Sequence, residues 1–169
     1  MPATYTLIAS VTVGAGGASA IEFTNIPQSY NDLVVRLSAR GTNAAVVIAP
    51  VLYFNNDTAA GSFTSLIGNG STASSNRATG YIDSGVISSG NATSNTFGNF
   101  ELYIPNYTGN TNKPVNSSSV AENNATEGYV NARALLWSNT AAITAIKFTL
   151  GAGNYAQYST ANLYGIKNT

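Results

Sequence analysis

Tyr5-Thr6-Leu7-Ile8-Ala9-Ser10-Val11-Thr12-Val13 is the stretch that decides the fold. Its odd positions are apolar while Thr6, Ser10 and Thr12 are polar, a period of two that sends alternate side chains to opposite faces of a strand. Gly14-Ala15-Gly16-Gly17 breaks the run. Ala20-Ile21-Glu22-Phe23-Thr24-Asn25-Ile26 then resumes the alternation as far as Pro27, which has no amide hydrogen for a ladder. The two segments read as a first hairpin.

The same period recurs along the chain. Leu33, Val35, Leu37 and Ala39 share a face opposite Arg36, Ser38 and Arg40, and residues 45–54 form a more continuously apolar strand interrupted at Pro50. Residues 63–67 and 78–82 are short strands, and residues 97–104 alternate, with Phe100, Leu102 and Ile104 opposite Glu101 and Tyr103. Residues 115–122, 128–137, 142–150 and 162–166 bring the total to about ten strands. Residues 83–95 and 106–116, rich in Ser, Gly and Asn, read as exposed polar loops. No segment sustains the i, i+3, i+4, i+7 apolar spacing of a helix. The expectation is an all-β, antiparallel two-sheet β-sandwich of jelly-roll or Greek-key type with little helix. At 169 residues it reads as a single domain, 1–169, with residues 1–5 as an extended N-terminal arm.

Composition then narrows the chemistry. Hydrophobic residues make up 44% of the chain and charged residues 8%, with seven basic and seven acidic groups spread singly. Such a surface has no basic patch to release counterions from nucleic acid or an anionic membrane, so neither is expected as a partner. The chain has no histidine and no cysteine, which excludes Ser-His-Asp and Cys-His nucleophile sites, His-bearing zinc sites and redox dithiols. The start shows no basic segment followed by an apolar run, so a secretory signal is not expected.

Two carboxylates suffice for a glycosidase, but Glu22 and Glu101 lie on the polar phase of their strands and read as solvated surface groups. Asn55-Asn56-Asp57-Thr58 lacks the spaced ligands of a calcium loop and reads as a turn. The expectation is therefore no enzyme, with no catalytic, cofactor or metal residues. Trp137 reads as core. What remains are tyrosines and amides able to fill a partner's pockets: Tyr5, Ser89, Asn91, Tyr107, Asn110, Asn112, Tyr155 and Tyr158 are the candidate partner contacts. For Tyr107, Tyr155 and Tyr158 the alternative is a ring that covers an end of the sandwich.

Several segments, taken together, resemble a family of bacteriophage virion structural proteins familiar from cyanophages and other phages of aquatic bacteria. They are the opening strand quoted above, Ile21-Glu22-Phe23-Thr24-Asn25-Ile26-Pro27, Tyr30-Asn31-Asp32-Leu33-Val34-Val35, Tyr103-Ile104-Pro105-Asn106-Tyr107 and Leu136-Trp137-Ser138-Asn139-Thr140. Thr96-Phe97-Gly98-Asn99, Glu122-Asn123-Asn124-Ala125-Thr126-Glu127 and the closing Leu163-Tyr164-Gly165-Ile166 extend the likeness over most of the chain. The resemblance implies a virion part made in the host cytoplasm. Within it the favoured role is a capsid decoration or cement protein on the outer shell, a homo-oligomer such as a trimer, bound to the major capsid protein or other virion proteins. A head-fibre or tail-fibre module that binds host glycan is the alternative.

Overall fold

A computed structural model describes residues 4–124 and 126–167. In chain order the strands are β1 Tyr5–Thr12, β2 Ala20–Phe23, β3 Asp32–Ala39, β4 Val47–Ile48, β5 Pro50–Phe54, β6 Gly61–Gly68 and β7 Ala73–Thr79. They continue with β8 Ile82–Asp83, β9 Ile87–Ser88, β10 Gly98–Ile104, β11 Lys113–Glu122, β12 Gly128–Trp137, β13 Ile146–Leu150 and β14 Thr160–Ile166. Among the described residues no regular element is a helix.

The expected all-β antiparallel sandwich is the fold found. One layer is an eight-stranded sheet in the order β1-β14-β3-β10-β11-β12-β6-β7; the other holds a four-stranded sheet, β2-β13-β5-β8, and a two-stranded ribbon, β4-β9. The inner face of the large sheet carries Leu33, Val35 and Leu37 of β3 and Phe100, Leu102 and Ile104 of β10, all buried. Ile21, Phe23, Leu52, Phe54, Ile146 and Phe148 of the small sheet complete the core. Two aromatic contacts tie the layers: Phe100 meets Phe148 edge-on at 5.6 Å between centroids, and Trp137 meets Phe54 at 5.5 Å. Each such ring, fully buried, contributes on the order of 1.5–3 kcal/mol.

Four readings of the sequence change here. β1 and β2 do not form a hairpin: β1 pairs with β14 in the large sheet and β2 with β13 in the small one, so the glycine run between them turns a corner between layers. Gly17 makes that corner at φ +71°, and a Cβ there would lie 2.9 Å from the Tyr155 carbonyl oxygen. Within β1 a bulge between Leu7 and Ala9 reverses the faces. Tyr5 and Leu7 point outward, while Ala9 and Val11 turn toward the core. Residues 78–82 are not one strand, because Gly80, at φ +90°, separates β7 from β8. Of the arm expected over residues 1–5, residues 1–3 lie outside the described residues, and Tyr5 already belongs to β1.

The largest correction concerns residues 83–95, expected as an exposed loop. Ser84, Val86, Ile87, Ser88 and Ser89 are buried, because this segment threads beneath the large sheet and pairs with β4. Backbone placed there must find hydrogen-bond partners inside the protein. β11 supplies them. The Ser119 hydroxyl accepts the Val86 N–H at 3.0 Å, the Ser117 hydroxyl donates to the Ser84 carbonyl, and the Ser84 hydroxyl donates to the Pro50 carbonyl at 2.8 Å. Gly85 fits only without a side chain, since a Cβ would meet Ser119 Oγ at 3.0 Å. Beside this seam Arg133 is buried with its guanidinium paired to the Asp83 carboxylate, its Nε donating to Asn131 Oδ1 at 3.0 Å and its Nη1 to the Asp83 carbonyl at 3.1 Å.

At the opposite end of β12 Asp57 holds a loop. Its carboxylate accepts the amides of Ala59 and Ala60, the Trp137 indole N–H at 2.9 Å and the Asn139 side chain. Arg133→Met strands the Asp83 carboxylate and is expected to cost about 3 kcal/mol in urea denaturation; Asp83→Asn added to it should recover much of that loss. The hydrogen bonds to Asp57, that from Ala59 foremost, lower its pKa from 3.8 to about 2. The resulting stabilisation is complete above the unfolded-state value and is lost as pH falls through the folded one. Asp57→Asn should therefore destabilise at neutral pH, by on the order of 1–2 kcal/mol. Denaturation curves of variant and wild type should draw together as pH falls toward 2 and converge below it.

Candidate functional site

The inner face of the large sheet is covered by the second layer, whereas its outer face is open, and β12 gives that face its character. Trp137, Leu135, Arg133 and Asn131 are all buried, so the intervening Val130, Ala132 and Ala134 must face outward. The neighbouring strands add Leu66 and Thr64 from β6 and Pro114, Asn116 and Val120 from β11. Leu66 is 63% exposed, Val130 55% and Val120 45%, high values for aliphatic side chains clustered on one sheet.

Two shallow apolar grooves of about 480 Å³ each run over this half. One lies between Leu66, Ala132 and Ala134 on one side and Tyr103, Pro105 and Pro114 on the other; the second joins Leu66, Val130 and Ala132 to Gly68 and Ala73. Leu66 and Ala132 line both, which makes the grooves continuous.

The other half of the face is polar. Arg36, Ser38, Asn99, Glu101, Ser118 and Asn162 line a groove of about 510 Å³. Arg36 Nε donates to Glu101 at 2.7 Å, and the guanidinium lies 6.0 Å from the Tyr5 ring and 5.9 Å from the Tyr164 ring. The Tyr103 hydroxyl, on the border between the halves, donates to Asp32 at 2.9 Å.

The candidate contacts do not gather on this face. Tyr5 lies on it, at its polar margin. Asn110 and Asn112 are exposed in the loop before β11, while Asn91 and Tyr158 are exposed near the other end of the sandwich. Three candidates are withdrawn because they are buried. Ser89 donates its hydroxyl to the Asn43 carbonyl at 3.1 Å, Tyr107 fills the sandwich end with its hydroxyl on the Pro27 carbonyl, and Tyr155 exchanges backbone hydrogen bonds with Ala18 at 2.8 and 3.1 Å. For Tyr107 and Tyr155 the covering-ring alternative is therefore the one found.

The loops themselves are already hydrogen-bonded inward. Arg40 gathers the carbonyls of Gly90, Ala92, Thr93 and Thr96, and Glu122 accepts from Thr93, Thr96 and Asn124. Buried Lys113 donates to the carbonyls of Gly109 and Thr111 at 2.7 and 2.5 Å, 5.9 Å from the Trp137 ring. Among the described residues no group of three His, Cys, Asp or Glu side chains could hold a metal ion, and no helix is long and apolar enough to cross a membrane.

Sequence reading missed Leu66, Val120 and Val130. The available signal was Trp137: once its ring is assigned to the core, strict alternation places Arg133 inside and Val130 outside. No family model, curated protein or solved structure matches the chain.

The Tyr155 hydroxyl is buried with no hydrogen-bond partner among the described residues, and burial pushes its pKa up. Tyr155→Phe removes that unpaired group and keeps the ring, so it should stabilise the fold by about 1 kcal/mol, measured as a rise in the urea midpoint.

Proposed function

We propose that this protein is a structural component of a bacteriophage virion, and within that class a decoration protein that seats on the outer capsid shell and reinforces joints between major capsid subunits. The observation that carries the reading is the continuous, uncharged apolar surface of Leu66, Val120, Val130 and Ala132 on an otherwise closed sandwich. A chain with formal net charge zero brings no long-range repulsion to crowded positions on a shell. Docking through aliphatic groups and neighbouring amides suits a permanent seat that needs no charge steering. The segment resemblance across most of the chain supports the same class.

One specific feature favours a second reading. The polar groove at the Arg36–Glu101 pair, with the Tyr5 and Tyr164 rings beside the Arg36 guanidinium, offers fixed hydrogen-bonding groups next to exposed rings of the kind that hold sugars, which fits a fibre module recognising host glycan.

Cryo-electron microscopy of the particle separates the two. Density for this chain at many equivalent shell positions is expected, with the Leu66 and Val130 face turned toward capsid subunits; density only at a tail or vertex would favour the fibre. In a rebinding assay on shells stripped of the protein, Leu66→Asn with Val130→Thr should weaken attachment more than about tenfold, since each lost aliphatic contact is worth about 1–2 kcal/mol. Stability should change little, because both side chains are more than half exposed in the free protein.

A further inference from the structure

Every open sheet must end in strands with unpaired amide and carbonyl groups, and natural sheets blunt those edges with bulges, charges, proline or shortness. Three of the four edges of the two larger sheets are blunted. β1 carries the bulge at Leu7 and Ala9, β2 has four residues, and β8 has two.

β7 is different. It runs seven residues, Ala73–Thr79, and pairs with β6 in unbroken register from Ser62↔Thr79 to Gly68↔Ala73. Its side chains are Ala, Ser, Asn and Thr with a single charge, Arg77, and they are almost all exposed. It contains no proline and no bulge.

The ladder also says which groups face away from the molecule. Asn69 N–H donates to the Thr72 carbonyl and Gly80 N–H to the Gly61 carbonyl, so these are hydrogen-bonded pairs of the β6–β7 hairpin. Bonded and non-bonded pairs alternate in an antiparallel ladder, which points the backbone groups of residues 74, 76 and 78 toward β6. Those of Ala73, Ser75, Arg77 and Thr79 point outward. The Arg77 N–H bonds locally to Asn76 Oδ1 at 2.8 Å, a contact that an incoming carbonyl replaces.

We propose that β7 is a self-association edge, at which a second copy of this chain adds its own β7 antiparallel across a two-fold axis at Asn76. In that register Ser75 faces Arg77 of the other copy and Ala73 faces Thr79, so outward groups meet outward groups and the two arginines are not directly opposed. Zero formal net charge leaves no global repulsion between copies. The apolar groove of Leu66, Val130 and Ala73 borders this edge, so pairing joins the grooves of two copies into one longer surface. The inference does not depend on the virion reading.

Sedimentation velocity on the full chain, from micromolar to hundreds of micromolar, reads the mass directly. The wild type should reach twice the chain mass. Ser75→Pro removes only an outward-facing amide, leaves the β6 ladder intact, and should weaken association at least about tenfold with unchanged circular dichroism. Ser75→Lys is the second probe should proline disturb the hairpin: it sets a lysine opposite Arg77 of the other copy and should weaken association most at low salt. Because the chain has no cysteine, Asn76→Cys should form a disulfide-linked dimer on oxidation, with the two residues about 4.5 Å apart at Cα in a non-bonded pair, while Ser10→Cys on β1 should not. A wild type that stays monomeric throughout overturns the proposal. So does an oligomer whose mass neither Ser75 variant reduces, or cross-linking of Asn76→Cys no faster than that of Ser10→Cys. Reduced shell binding by the Ser75 variants of a monomeric wild type would assign the edge to a different partner, and likewise overturns it.

Discussion

Backbone can lie inside a β-sandwich only when each of its polar groups has a partner, and that constraint organises this molecule. Residues 84–89 run under the large sheet with mostly small side chains around the core residue Ile87, and the serines of β11 stand where aliphatic residues would otherwise pack. Ser117 gives the segment a donor and Ser119 an acceptor, and the Arg133–Asp83 pair closes one end of the seam. A hydrocarbon interior at this place would leave amide and carbonyl groups unpaired, each at a cost of about 1–3 kcal/mol. The polar seam is thus the condition under which the smaller layer closes over the larger.

That arrangement determines the outside as well. Successive residues of a strand face opposite ways, so drawing Asn131 and Arg133 of β12 inward turns Val130, Ala132 and Ala134 outward. The apolar outer face follows from polar groups on the inner face of the same strand. Surface patches of this kind on monomeric proteins commonly mark contact sites, and here the patch reaches the one long edge strand of the sheet that lacks a bulge.

Much of the architecture was legible because one period dominates the sequence. The boundaries of β12, the inward phase of β3 and β10 and the burial of Trp137 all follow from alternation and proline stops. The failures share a physical cause, which is that local pattern does not report long-range partners. β1 and β2 resemble a hairpin because a glycine turn joins them, yet their partners, β14 and β13, lie more than a hundred residues away. The serine-rich run after Asp83 resembles a solvated loop because serine is polar, but a hydroxyl is equally at home in a core that supplies carbonyls and amides. Tyr155 and Tyr107 stand next to polar turns, and those turns fold their rings inward. The candidate face went unread for the converse reason: aliphatic residues on a strand suggest core until a larger neighbour fixes the phase.

The few charges complete the picture. Arg40 binds four carbonyls of one loop, Lys113 two of another, Arg133 the buried seam, and Asp57 and Glu122 collect amides at turns. These groups act as internal fasteners in a chain with only fourteen charged residues, seven of each sign. Apart from Arg77 on β7 and Asp32 beneath the Tyr103 hydroxyl, the open face is left to aliphatic groups, hydroxyls and amides, with the exposed Arg36–Glu101 pair neutralised within its own groove. A surface built this way attracts partners weakly at long range and discriminates at contact, through shape and hydrogen-bond register. Its affinity for any partner must come from the area of well-fitted contact and from how completely the hydroxyls and amides around that area are paired.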